Sequence, residues 1–266
     1  MTQDPTTADV LDVESIGIRF GGLTALRDIS FAVRAGEVVG LIGPNGAGKS
    51  TVLNCICGFY KPSTGTVRID GEDVCGAVPH TLRGRGVVRT FQETLLIEDV
   101  PLIDNVMLAG TELRLREMLL SPFGTLRARR RYRDARDRAY ALMEDYGLGA
   151  WAGATAASVP YGVRKLAEVA RAQYAQPRLM LLDEPAAGLG PVDAEALADR
   201  LVELSAAGIA IVLIDHNMDF VARAARRVVV MSAGAVLAEG SPAQIRDDEA
   251  VVEAYLGAGG HRAGDR

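Results

Sequence analysis

The stretch that decides the fold is Gly43-Pro44-Asn45-Gly46-Ala47-Gly48-Lys49-Ser50-Thr51. It fits the spacing G-x-x-x-x-G-K-[ST] of a phosphate-binding loop. An apolar run, Val38–Ile42, precedes it, and a helical pattern from Lys49 to about Gly58 follows. That order is what the chemistry needs. Glycines let the main chain curl until several N–H groups point at phosphate oxygens. The helix adds the positive end of its dipole. Lys49 brings a compact charge to the β- and γ-phosphates of a nucleotide, and the Ser50 hydroxyl suits a Mg²⁺ ligand. Gly43, Pro44, Asn45, Gly46, Ala47, Gly48, Lys49, Ser50 and Thr51 are therefore the expected nucleotide contacts. The dinucleotide spacing G-x-G-x-x-G is absent here.

Two further apolar runs end in polar residues. Leu179-Met180-Leu181-Leu182 ends in Asp183-Glu184-Pro185, and Ile209–Ile214 ends in Asp215-His216. In an open parallel sheet, ligands bind beyond the carboxyl ends of the strands. Both endings should therefore lie beside the phosphate loop. Asp183 suits an outer ligand of Mg²⁺. Glu184 suits the base that polarises an attacking water, and His216 suits a contact to the γ-phosphate that helps place that water. Gln92, in Thr90-Phe91-Gln92, offers an amide that can reach Mg²⁺ or water. On residue chemistry alone, a structural role for Gln92 stands equally open.

Outward from these motifs, the chain alternates in character. Val13–Phe20, Ile29–Val33 and Thr66–Ile69 read as short strands, with turns at Gly21-Gly22, Ala35-Gly36 and Asp70-Gly71. From Pro101 to about Tyr174 the pattern is helical, including a charged helix at Arg127–Tyr146 with Tyr132, Ala135, Ala139, Leu142 and Met143 on its apolar side. Aliphatic runs return at Leu179–Leu182, Ile209–Ile214 and Val228–Met231, separated by helices. The reading is an α/β fold: a mostly parallel core sheet covered by helices, with a helical insertion near 93–175.

Composition sets the outer limits. The 266 residues are 48% hydrophobic and 24% charged, with net charge −5. No apolar stretch approaches the ~18–20 residues of a membrane-spanning helix, and the polar start at Met1–Val10 is unlike a secretory signal. The acidic balance argues against a nucleic-acid partner. Cys55, Cys57 and Cys75 lack zinc spacing and read as reduced thiols. Basic charge is almost all arginine, 26 residues against Lys49, Lys61 and Lys165. Seven arginines crowd Arg127–Arg138. A solvated helix face is the plain reading; attraction to anionic lipid headgroups is the sharper one.

Taken together, these motifs resemble the ATP-binding subunits of ATP-binding-cassette (ABC) transporters over roughly Val13–Leu256. The order phosphate loop, Gln92, Asp183-Glu184, His216 matches that family. The subgroup serving branched-chain amino acids is suggested by Arg19–Leu26, Asn54–Lys61, Gly86–Gln92, Asp183–Leu189 and Glu253–Gly257. The resemblance implies a single ATP-binding domain at 10–257, with a catalytic core at 10–92 and 176–257, an N-terminal antiparallel β portion and a helical subdomain at 93–175. Residues 258–266 would be a disordered tail. It implies ATP hydrolysis driving separate membrane permease subunits at the cytoplasmic face of the inner membrane. A second ABC ATPase chain would complete a dimer, a different chain being expected rather than an identical one. A solute-binding protein would act indirectly. It also implies that Phe20 stacks on adenine, and that Tyr161 and Gly162 form the signature turn presented to the partner's ATP.

The sequence departs from the family's signature, usually Leu-Ser-Gly-Gly-Gln. Val159-Pro160-Tyr161-Gly162-Val163 stands in its place, so Pro160 supplies neither hydroxyl nor N–H, and Val163 supplies no amide side chain. Gly190 stands where the family commonly has Asp or Asn. The chain's own catalytic set is thus complete while the turn it offers a partner is weakened. Unequal sites are the expectation. The competing reading is a soluble or regulatory ABC ATPase not coupled to transport. The 134 positions between Lys49 and Asp183 exclude the long coiled coil of repair members, and translation members carry two cassettes.

Overall fold

The computed structural model describes residues 9–92, 94–110 and 126–259, with side chains of 126–128 and 256–259 outside the description. Residues 1–8 and 260–266 lie outside the described residues. Contacts divide the chain into two units. One comprises 9–89, 178–184 and 198–259; the other comprises 90–177 and 185–197. The second takes in the expected helical segment and also the stretch after Glu184.

The first unit holds two sheets. Strands β1 (Asp9–Phe20) and β2 (Leu23–Arg34) pair antiparallel across Gly21-Gly22, and β4 (Thr64–Ile69) and β5 (Glu72–Asp73) complete a sheet in the order β2-β1-β4-β5. Both hairpin strands are longer than their alternation suggests. Ser15 and Asp28 sit at positive φ, 49° and 51°, and the β1–β2 register shifts repeatedly. Each irregularity resets which face a side chain meets, which masks a period of two.

The second sheet carries the site. Its order is β10-β9-β3-β8-β7-β6, built from β3 (Val38–Ile42), β6 (Val87–Arg89), β7 (Leu179–Asp183), β8 (Ala210–Ile214), β9 (Arg227–Ser232) and β10 (Ala235–Gly240). All neighbours are parallel except β10 against β9. Every residue of β3, β7 and β8 is buried, as central parallel strands covered on both faces require. One apolar core joins the two sheets to helix α1 (Lys49–Ile56) through Leu11, Ile29, Val52, Leu53, Leu181 and Val212. Cys55 and Cys57 are buried free thiols, their pKa values pushed by burial to about 12 and about 11.

In the second unit, α3 (Leu102–Met107) packs against α4 (Leu126–Asp145) and α5 (Tyr161–Tyr174). Ala135, Ala139 and Met143 form the buried stripe of α4 at helical spacing. The fully buried Asn105 amide bonds the main chain at Ile97, Val100 and Pro101, fixing the loop before α3. Tyr174 donates from its hydroxyl to the Ala135 carbonyl at 2.9 Å. Helix α5 begins at Tyr161, directly after Pro160.

A short helix α2 (Pro79–Gly84) precedes β6. The long α6 (Pro191–Ala206) follows β7, and α7 (Met218–Ala224), α8 (Pro242–Arg246) and α9 (Glu249–Gly259) close the chain. Helical backbone therefore extends through Gly259, where a disordered tail from 258 was expected.

Candidate active site

The parallel register sets the geometry. Gly40 of β3 lies level with Leu213 of β8, and Asp183 of β7 with Ile214 of β8. Since β8 lies between β3 and β7, its ending, Asp215-His216, falls between the phosphate loop and Asp183-Glu184. The first unit thus brings five expected residues, Lys49, Ser50, Asp183, Glu184 and His216, to one sheet edge.

Backbone conformation shapes the loop before chemistry enters. Gly43 has φ +144°, and a Cβ there would lie 2.1 Å from the Met231 carbonyl oxygen. Gly48 caps α1 at φ +100° with no side-chain cap. Only glycine fits such positions. The first N–H groups of α1 therefore keep their capacity for an anion. Lys49 is buried at 7% exposure, and its Nζ donates to the Gly43 and Pro44 carbonyls at 2.6 and 3.0 Å. The ammonium is held against the loop it serves. Burial lowers its pKa, opposed by the Glu184 and Asp183 carboxylates.

At the end of β7, Asp183 meets Arg89 of β6. The guanidinium donates to Asp183 Oδ2 at 3.2 Å and to Asn54 Oδ1 on α1 at 2.6 Å, and both charged side chains are nearly fully buried. Arg89 thus ties β6, α1 and β7 at the point where Asp183 leaves the sheet. Glu184 turns sharply away at φ +52°, with its N–H donating to the Ile214 carbonyl at 2.8 Å. That turn sets its carboxylate 2.8 Å from His216 Nε2. Glu184 and His216 therefore form one hydrogen-bonded pair. Asp215 accepts from the Asn217 N–H, and the Asn217 side chain caps α7, which fixes the backbone that carries His216.

Phe20 lies at the end of β1, 44% exposed, with its ring edge-on to Tyr60 at 5.1 Å. An exposed aromatic pair at a strand end offers a flat apolar face, not a core contact. Tyr161 and Gly162 occupy the first turn of α5, capped by Pro160 without a side-chain bond. The exposed Tyr161 ring covers Gly188: a Cβ there would lie 2.6 Å from Tyr161 Cδ1. Gln92 belongs to the second unit, and its carbonyl accepts from Lys165.

The sequence reading missed Arg89, Asn54, Tyr60 and Tyr255. An arginine directly after Val87-Val88 was the available signal for Arg89: a charge ending an apolar run needs a partner. Tyr255 of α9 lies by Gly43; burial raises its pKa, and the Gly43 backbone opposes that rise. Its segment carried a resemblance but no chemical pattern.

The chain is similar to known proteins in sequence and in fold. Residues 26–187 match the ABC transporter family, and 235–261 match the branched-chain amino acid ATP-binding cassette transporter family. The high-affinity branched-chain amino acid transport ATP-binding protein BraF of Pseudomonas aeruginosa is 39% identical over 93% of this chain and 98% of its own length. The corresponding LivG of Escherichia coli is 38% identical with the same coverage. Among solved structures, the ADP conformation of an ATP-binding cassette of an ABC transporter superposes with TM-score 0.79 at 30% identity, over 94% of this chain and all of that one. A nucleotide-free cassette gives TM-score 0.79 at 31% identity, over 93% of this chain and 98% of its own.

Proposed function

Because the chain belongs to the ABC transporter family, we propose that it hydrolyses ATP to drive a separate membrane permease importing branched-chain amino acids. The observation that carries the reading is the Glu184–His216 pair at 2.8 Å beside the glycine loop and its buried lysine. The names of the relatives support the solute class.

The reaction transfers the γ-phosphoryl group to water, breaking its bond to the β–γ bridging oxygen. The loop N–H groups, the start of α1 and Lys49 bind the phosphates and offset the charge that builds on them. Binding exchanges the carbonyl partners of Lys49 for phosphate oxygens. Glu184 accepts the proton of the attacking water, while His216 orients that carboxylate and reaches toward the γ-phosphate. Phe20, with Tyr60 beside it, stacks on adenine.

Magnesium fits the donors available. Among the described residues no cluster of three or more His, Cys, Asp or Glu holds a metal alone. Ser50 and Asp183 offer the hard oxygens that Mg²⁺ accepts together with waters and phosphates. Arg89 engages Asp183 Oδ2, which suits an outer role for that carboxylate. Bound magnesium would neutralise charge on the β- and γ-phosphates. Gln92 is proposed as an amide that senses the γ-phosphate side of the reaction.

No helix among the described residues is long and apolar enough to cross a membrane. The proposal therefore includes permease subunits in the inner membrane, with this chain on their cytoplasmic face and a solute-binding protein acting through them. A second, different ATPase chain would complete the dimer. Its ATP would rest on the weakened turn at Tyr161-Gly162, so its site should hydrolyse more slowly. In proteoliposomes carrying the complex, ATP-dependent leucine uptake should vanish when Lys49 is replaced by Ala. Disabling the corresponding lysine of the partner should leave more turnover. Uptake that persists without ATP would sink the transport reading, and equal losses from the two lysines would sink the asymmetry.

A further inference from the structure

The chain keeps three lysines against 26 arginines, and two of the three are buried. Lys49 is 7% exposed and Lys165 only 2%. Both donate to main-chain carbonyls of a motif loop. Lys49 holds Gly43 and Pro44; Lys165 holds Gln92 at 2.7 Å and Phe91 at 3.4 Å. A buried ammonium is strongly disfavoured unless its donors find acceptors. An aliphatic side chain would fill the same space without that penalty. A charge kept here therefore points to a need for its donors. A compact ammonium can send three of them in different directions, which a planar guanidinium cannot.

The need is visible in the backbone. After β6 ends at Arg89, the described residues around Phe91, Gln92 and Leu95 belong to no helix or strand. Helix α5 supplies partners along one stripe, at i, i+3 and i+6. Beyond Lys165, the Glu168 carboxylate accepts from the Leu95 N–H at 3.0 Å, and Arg171 donates to the Leu95 carbonyl at 2.6 Å. Glu168 is 1% exposed. All these bonds reach main-chain atoms, so they fix the path of the segment whatever its side chains are. At its other end the stripe touches the helix start, where the Lys165 ammonium lies 5.9 Å from the Tyr161 ring centroid, within reach of a cation–π contact.

We propose that Lys165 is a positioning residue, which locks the backbone of Gln92 to the Tyr161-Gly162 turn so that the two motifs move as one piece. This rests on the reading of Gln92 as part of the reaction. The seam makes Gln92 inseparable from the turn offered to the partner's nucleotide.

The test uses the full chain with Mg²⁺ and ATP. Lys165→Met keeps the stem and removes the donors. Its kcat should fall about tenfold or more, as a misplaced reacting group implies, with KM for ATP within about twofold of wild type. Deuterium uptake should rise in the peptide spanning 90–97 and stay unchanged in the loop 43–51. A kcat within about twofold of wild type, or unchanged uptake at 90–97, would overturn the proposal. Should Lys165→Met not fold, Arg171→Met releases the far end of the seam, and unchanged uptake at 90–97 in that variant would overturn it equally. Failure of the underlying reading looks different: the wild-type chain would show no turnover, while the exchange measurement needs none.

Discussion

The two helix starts expected to meet phosphate are built differently. Helix α1 begins at Gly48, in the left-handed region, with Lys49 buried beneath the loop and Ser50 exposed beside it. Helix α5 begins at Pro160, with Tyr161 over Gly188 and no hydroxyl or amide at the flanking positions. Neither start is closed by a side chain, whereas Asn217 caps α7 and Ser241 closes a capping box on α8. The short helices α2 and α3 also start without a side-chain cap, so an open start alone does not mark a ligand site; it only leaves the first N–H groups available. What separates α1 from α5 is charge. One start carries a lysine that reaches the ligand side of its loop; the other keeps its lysine behind the turn, bonded to Gln92.

The sharpest way to break that comparison is to remove the charge at α1. Lys49→Ala should lower hydrolysis by about 10²–10³-fold, the scale of losing a preorganised charge on a transferring phosphoryl group. A steady-state ATPase assay checks it, and a loss confined to a fewfold would put α1 on a par with α5. His216→Ala comes next. It removes the partner of Glu184 and should lower kcat by about 10–10²-fold while ATP binding, followed by a fluorescent analogue, stays close to wild type. The weak turn can be strengthened. Pro160→Ser with Val163→Gln returns two donors and should raise turnover at the partner's site by about two- to tenfold, the worth of one ordinary hydrogen bond. An unchanged or lower rate would show that the turn is not limiting.

The smallest effect concerns the buried acid on α5. Burial raises the pKa of Glu168, opposed by the Leu95 N–H, Arg171 and Lys165. A raised acid favours the folded state while protonated, so its contribution is present below the unfolded carboxyl pKa and fades as pH rises through the folded one. Thermal melts should therefore show Glu168→Gln gaining stability relative to wild type at higher pH and matching it in acid. The opposite trend would contradict the sign.

Much of this was legible because the motifs report local geometry. The strand–loop–helix around Lys49 needs its glycines at fixed places, and buried parallel strands announce themselves as aliphatic runs. The endings of β7 and β8 followed from the same rule. What was hidden depends on neighbours distant in sequence. Arg89 acquires its meaning from Asp183 and Asn54, 94 and 35 positions away. Tyr60 matters through Phe20, and Lys165 through Gln92. The length of β1 and β2 was concealed by bulges, and the start of α5 by a proline that reads as a breaker yet serves as its N-cap.

The central claim is that Glu184 acts on water while the loop and Lys49 bind nucleotide. Glu184→Gln separates the two in one quenched-flow experiment with radiolabelled ATP. The account predicts binding within about twofold of wild type, with cleavage slowed by about 10²-fold or more, so that the bound nucleotide is recovered as ATP. Recovery of ADP and phosphate at the wild-type rate would contradict it.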